Sequence, residues 1–399
     1  MSVHLAWNDP PVGRFALFYL GFRPFFLFGS LAAALLGLGW LLQLAGVWQP
    51  HTFWASPALW HGHEMVFGFA LAIIGGFLLT AIRNWTGFQT LHRWPLAGLI
   101  LLWLTARGLN LTGLPAPLAA LFDLLFGIGL ATAVTAPIVR ARQWGQIGLV
   151  SKVWLLVIAN GFSYAFAHDT GRAQMALLAG VLLVIAVLLT MIHRVLPFFI
   201  EKAAQMKQGR RIELPRPGRL TYVNLLLFLA FAVAWIGWPH HWLTGTLAWL
   251  LALANAPTLW RWADRVVWHE PLLWSLWGAY AFVELGFVLA GLSMWPQASW
   301  LALHAFAAGG IGLGTLGMMA RVTLGHTGRN VFEPPRLVIL MLLLVLAAAL
   351  ARTLGPLLAP GGYTGWMHAS LGLWTLGFGL FWIAYLPMWL RPRVDGRYG

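Results

Sequence analysis

Long apolar stretches recur from one end of the chain to the other, separated by short polar segments. Each stretch is roughly twenty residues long, and a helix of that length crosses about 30 Å of hydrocarbon. The pattern predicts an all-α polytopic membrane protein with about twelve transmembrane helices. The predicted spans are 24–46, 59–81, 94–112, 117–138, 150–168, 174–197, 220–238, 242–262, 270–292, 299–320, 335–356 and 364–390.

Composition supports this interpretation, since hydrophobic residues make up 60% of the chain and charged residues only 9%. A soluble domain usually carries about a quarter charged residues, so this chain lacks the polar surface that such a domain needs. We expect a single transmembrane domain over residues 1–399. The longest polar stretch divides it into six helices in 1–197, a cytoplasmic linker with a surface helix at 198–219, and six helices in 220–399.

The basic residues indicate the orientation of the chain in the bilayer. With the amino terminus inside, only Arg107, Arg172 and Arg352 among the 25 Lys and Arg residues fall near the outer face. The positive-inside rule therefore predicts that both termini are cytoplasmic. The net charge of +14 is carried by loops that set this orientation, which argues against a nucleic-acid partner.

Ionisable groups in membrane spans are costly and often functional. The orientation sorts the 13 His residues by depth, and one set falls near the outer ends of four different helices, where its members could converge. This outer set is His61, His63, His168, His304 and His368. Cysteine is absent, so thiolate sites are excluded, and imidazole suits both haem iron and copper.

Each outer histidine also has a structural interpretation, because His and Trp populate the interfacial belt of membrane proteins. His61 and His63 are about 200° apart on a helix, so a continuous helix cannot direct both at one metal. Either the helix begins between them, or one binds the metal while the other supports it or belongs to a separate site.

Four charged residues are further candidates. Arg107 and Asp123 lie at the same depth near the outer face and form an ion pair, or else Arg107 binds a haem propionate. Glu64 could orient His61, three residues back on the helix. Glu284 lies well inside the ninth span, as a proton carrier, a partner of a metal ligand, or a hydrogen-bonded structural group.

A weak internal repeat is also visible. Arg83, Arg194 and Arg321 end spans two, six and ten, which are four spans apart. This spacing suggests three arcs of four helices, the pseudo-threefold layout of haem–copper oxidases, in which spans two and ten supply haem ligands. The comparison is an analogy of fold alone, and span six has no outer His.

Several segments together resemble the NnrS family of bacterial membrane proteins, over most of the chain. Two positions depart from the family pattern, since Trp277 stands where a His is expected and His193 where a Gly is expected. The segments that carry the resemblance are 21–26 (GFRPFF), 60–69 (WHGHEMVFGF), 76–81 (GFLLTA), 84–87 (NWTG), 304–305 (HA), 319–329 (MARVTLGHTGR) and 391–396 (RPRVDG).

The resemblance implies an inner-membrane protein of bacteria that contains haem b and copper and is tied to nitric oxide metabolism and nitrosative stress. It makes His61, His63, His304 and His326 the leading candidates for metal ligands. The predicted orientation places His326 on the inner side, about 33 Å along the helix from His304. His326 therefore belongs to a second site or packs the inner surface.

Three functions compete at this stage. The first is a haem protein that acts on nitric oxide as an oxidoreductase, with Glu64 and Glu284 as catalytic candidates and a quinol or cytochrome as electron donor. The second is a sensor or scavenger that binds nitric oxide at haem without turnover. The third is a transporter, because twelve spans in two halves is a common transporter layout, although no inverted repeat is evident.

Overall fold

The computed structural model describes residues 13–215, 219–292 and 294–399, without the side chains of 219–222. The chain is 79% helix, and no strand occurs in the described ranges. The long helices are α1 (Phe22–Leu44), α2 (Pro57–Thr86), α3 (Arg93–Leu109), α4 (Ala116–Arg140), α5 (Ile147–Ala165), α6 (Thr170–Gln208), α7 (Arg219–Gly237), α8 (Trp242–Arg261), α9 (Pro271–Ala290), α10 (Pro296–His326), α11 (Arg336–Thr353) and α12 (Tyr363–Leu390).

Within the described residues, nine helices are long and apolar enough to cross a membrane. The other three, α3, α7 and α8, coincide with predicted spans three, seven and eight. The prediction of an all-helical membrane protein is therefore confirmed. The count of twelve spans, the sidedness and the threefold layout stay predictions, and we use "outer" and "inner" for the two predicted ends of the bundle.

Helix α6 continues past residue 197, where the sequence predicted a linker to begin. It includes Pro197 and ends at Gly209, whose φ of 64° is left-handed. Ile200, Ala203 and Ala204 are buried on one face, so the extension packs against the bundle as an amphipathic helix. Half of the predicted linker is thus helical, because spaced apolar residues stabilise a helix within an otherwise polar stretch.

Helices α2 and α10 each contain a π-helical segment, Glu64–Ala70 and Ala305–Leu313. One begins directly after His63 and the other directly after His304. Such segments are rare and often lie at functional sites. The segment in α10 packs closely on α9, since a Cβ added at Gly309 would lie 2.1 Å from Cγ of Phe282.

The outer ends of α1, α2, α10 and α12 are brought together by packing. Helix α12 packs along α1 and α11, and α1 packs along α2. Trp374 on α12 donates its indole N–H to the carbonyl of Ala33 on α1 at 2.9 Å. The Trp374 ring also lies against Gly312 in the π-helical segment of α10. Helices α2 and α10, which carry the candidate residues His61 and His304, therefore both lie near α1 and α12.

Candidate functional site

His61 lies near the outer start of α2 with its ring half-buried. The ring stacks on Trp40 of α1, with centroids 4.6 Å apart and planes 18° apart. Its Nδ1 atom is buried and has no hydrogen-bond partner among the described residues. Buried polar atoms nearly always have a partner, so this nitrogen is available to a ligand.

His304 lies directly before the π-helical segment of α10. Its Nδ1–H donates to the Trp300 carbonyl at 2.8 Å, which assigns the lone pair of the neutral ring to Nε2. His304 lies within electrostatic range of His61, and both rings lie within range of Arg352 of α11. We call His61 and His304 the outer histidine pair. A backbone carbonyl that fixes the tautomer is the usual support of a metal-binding imidazole.

Several polar atoms on α1, α10, α11 and α12 also lack partners. Arg352 donates through Nη2 to the Tyr363 hydroxyl at 3.3 Å, while its Nη1 has no acceptor in the described part of the chain. Gln43 Oε1 on α1, Ser299 Oγ on α10 and Thr375 Oγ1 on α12 are likewise buried without a partner.

Two other members of the outer set lie apart from this pair. His368 is half-buried on α12 and donates through Nδ1 to the Thr364 carbonyl at 2.7 Å. It precedes Thr375 by about two helical turns and shares its face of α12. His168 is exposed in the turn after α5, and no described contact joins it to the pair. The convergence expected for His168 is therefore not seen.

His63 belongs to a different environment from His61, two residues earlier. It is fully buried, with Nδ1 3.0 Å from Glu64 Oε1 and Nε2 2.9 Å from Asn160 Oδ1. Asp123 Oδ2 lies 3.5 Å from the same Nε2. Both ring nitrogens are thus engaged, and Glu64 contacts His63 rather than His61 as the sequence suggested. We call His63, Glu64, Arg107, Asp123 and Asn160 the buried ion network.

Arg107 joins the two carboxylates of the buried ion network. Its Nη1 lies 2.8 Å from Glu64 Oε1, and its Nη2 lies 2.6 Å from Asp123 Oδ1. Gly68 makes room for this side chain, since a Cβ there would lie 2.7 Å from Arg107 Nη1. Of the two interpretations drawn from the sequence, the structure shows the ion pair, extended to a second carboxylate.

A chain of neutral polar groups continues from this network. The Tyr164 hydroxyl donates to Asp123 Oδ2 at 3.0 Å, and Asn110 donates to the Tyr164 hydroxyl at 2.8 Å. Trp54 in turn donates its indole N–H to Asn110 at 3.0 Å. The sequence analysis missed these residues. Asn160 and Tyr164 are four apart in an apolar span, a polar helix face that could have revealed them.

Glu284 on α9 is buried, and neither carboxylate oxygen has a hydrogen-bond partner among the described residues. One turn towards the inner end lies Tyr280, whose hydroxyl is 3.3 Å from Nε2 of His193 on α6. His193 donates through Nδ1 to the Leu189 carbonyl at 2.8 Å. Tyr280 and His193 are thus two hydrogen-bonded polar groups between Glu284 and the inner end.

His326 ends α10 on the inner side, where its ring packs against Phe22 with centroids 5.6 Å apart. Its carbonyl accepts a hydrogen bond from Arg393 Nη1 at 3.0 Å. His326 lines an inner cavity and lies at the opposite end of α10 from His304. It is therefore not part of the outer histidine pair.

No group of three or more His, Cys, Asp or Glu side chains in the described ranges is arranged to hold a metal ion.

Comparison with known proteins gives one match, to a protein family. No curated protein matches the chain. Residues 16–393 match the protein family described as NnrS protein, which is nearly the whole length and confirms the resemblance seen in the sequence. The chain belongs to the NnrS family.

Proposed function

We propose that this chain is a haem-binding membrane protein that acts on nitric oxide. Family membership fits a membrane protein related to nitric oxide. The observation that carries the proposal is the buried, unpartnered Nδ1 of His61, within electrostatic range of His304, whose own Nδ1 is fixed by a backbone carbonyl. One or two imidazoles are enough to hold a haem iron.

The side chains at the outer end include the types that hold a haem. His61 and His304 would hold the iron from α2 and α10, and the Trp40 ring offers an apolar surface beside it. Arg352 would receive a propionate, because guanidinium matches carboxylate geometry and its Nη1 has no acceptor in the described ranges. Haem would supply the iron that binds nitric oxide and passes electrons. His368 offers a further imidazole for copper.

Arg107 and His63 have a supporting role in this proposal. Arg107 already binds Glu64 and Asp123, so the propionate role expected for it passes to Arg352. The buried ion network holds the outer part of α2 against α3, α4 and α5. It thereby fixes the direction of His61 from the opposite face of the same helix.

Reduction of nitric oxide is the reaction that the proposed site would serve. Two molecules of nitric oxide, two electrons and two protons give nitrous oxide and water. Glu284, Tyr280 and His193 line a polar path towards the inner end and would carry the protons. A quinol or a cytochrome outside the chain would supply the electrons.

Absorption spectroscopy on the purified full-length chain tests the proposal. We expect a Soret band, and we expect His61→Ala and His304→Ala each to lower the haem content strongly, because each removes an imidazole ligand. His51→Ala, at an exposed residue, is the matched control and should keep the wild-type content. Full haem content in both His61→Ala and His304→Ala would show that the site is wrong.

The same preparation separates turnover from binding alone. A Soret band that shifts on addition of nitric oxide, together with nitrous oxide formed in the presence of a reductant, supports a reductase. A shifted band without nitrous oxide supports a sensor or scavenger. A preparation without haem contradicts both.

A further inference from the structure

A basic cavity lies at the inner end of the bundle, where α2 and α10 end beside α6. Its volume is about 530 Å³. Arg83, Arg321, His326 and Arg393 line it, and no Asp or Glu is among its described lining residues. The cavity is remote from the outer histidine pair, so it is not explained by the proposed haem site.

The residue that characterises this cavity is Arg321, which borders it and is only 8% exposed. Its guanidinium stacks on the Phe199 ring at 3.7 Å, yet no described residue accepts a hydrogen bond from it or forms a salt bridge with it. The acidic group that acts on it from a distance is Glu270, which lies 3.9 Å from Lys207. Its guanidinium is mostly buried yet borders the cavity, which favours an anion there as its partner.

Two other arginines near the cavity already have acceptors. Arg23 donates to the carbonyls of Met388, Trp389 and Arg391 at 2.8 to 3.0 Å, and through Nε and Nη2 to an oxygen of Gly399 at 2.9 and 2.5 Å. Arg393 is neutralised by Asp395 through contacts of 2.9 and 2.6 Å. That arginine holds the pKa of Asp395 well below its usual range, so the pair stays ionised at neutral pH. Arg321 differs from Arg23 and Arg393, because no acceptor for it occurs in the described ranges.

We propose that this inner cavity binds a phosphate-type anion, with Arg321 as the residue that pairs with it. Guanidinium binds phosphate oxygens in a bidentate manner and is less strongly hydrated than an ammonium group, so it suits a half-enclosed site. The volume exceeds that of a single phosphate, so the anion is a larger soluble phosphate compound or the headgroup of an anionic lipid.

Isothermal titration calorimetry with pyrophosphate tests this, on the full-length chain in nanodiscs of phosphatidylcholine. We expect saturable binding that Arg321→Gln weakens about tenfold or more, since a charge-assisted hydrogen-bond pair is lost. Arg336→Gln is the matched control, because Arg336 is exposed at the start of α11 on the same side. Equal weakening in the control would overturn the proposal.

A second variant keeps the test decisive if Arg321→Gln does not fold. Val331→Glu adds a carboxylate to the cavity from a loop and should weaken binding without removing a helix residue. Nanodiscs with phosphatidylglycerol separate the two sources: competition with pyrophosphate indicates a lipid headgroup, and unchanged binding indicates a soluble anion. The proposal fails if wild type binds no pyrophosphate and retains no more phosphatidylglycerol than Arg321→Gln. The haem content of these variants should match wild type.

Discussion

His61 and His63 show how much two neighbouring residues can differ. The first has an unpartnered nitrogen within electrostatic range of His304, while the second has both nitrogens engaged in the buried ion network. The position of both near one end of α2 was predictable, because the order of residues along an apolar span fixes their height along the helix. The partners that each ring meets were not predictable, because they depend on how α2 packs against its neighbours.

The buried ion network leads to a prediction at this scale. Arg107→Met leaves the carboxylates of Glu64 and Asp123 buried without their cation. We expect a loss of about 3–5 kcal/mol in the free energy of unfolding, as for other broken buried pairs. Denaturant unfolding in detergent, followed by circular dichroism, measures it.

An exposed pair supplies the control for this variant. Arg172 lies 3.6 Å from Asp169, and its side chain is 66% exposed. Arg172→Met should change the free energy of unfolding by no more than about 1 kcal/mol, because solvent screens such pairs. Similar losses in both variants would show that the buried network is not a stabilising unit.

At the scale of helices, the apolar pattern predicted where helices occur better than it predicted their ends or their π-helical segments. Every predicted span overlaps a helix, because a twenty-residue apolar run in lipid must satisfy its backbone internally. Helix α6 extends to Gln208, into the stretch where the sequence predicted a linker with a surface helix, because the residues after Pro197 still carry an apolar face. The two π-helical segments could not be predicted, since they depend on close packing between helices, as at Gly309 against Phe282.

Gly309→Ala tests that close packing. The added methyl would meet Cγ of Phe282 at 2.1 Å, so α9 and the π-helical segment of α10 must separate. We expect a loss of about 1–3 kcal/mol in the free energy of unfolding, which is typical of an overpacked core. Gly98→Ala on α3 is the control, because nothing lies within 4 Å of its added Cβ. An unchanged stability of Gly309→Ala would contradict the packing.

At the scale of the whole molecule, the open question is the number of spans. Nine helices in the described ranges satisfy both length and apolarity, and α3, α7 and α8 decide whether the total is twelve. Because the chain has no cysteine, single cysteines can report sidedness without any background.

We expect Leu114→Cys and Trp238→Cys to react with a membrane-impermeant maleimide added to intact cells. Both residues are exposed in loops that reach the outer side only if α3, α7 and α8 cross the bilayer. Gly361→Cys, in the loop before α12, is the outer control, and Glu333→Cys, in the loop before α11, is the inner control. Labelling of Leu114→Cys or Trp238→Cys only after permeabilisation would reduce the number of spans.

The π-helical segment of α2 has a consequence for how its histidines are assigned. A residue gained or lost in a helix turns everything beyond it by about 100° relative to the rest. The segment Glu64–Ala70 therefore sets the angular phase between the outer start of α2 and its inner half, which packs on α1. Helical phase, as much as residue type, places His61 against Trp40 and His63 against Asn160.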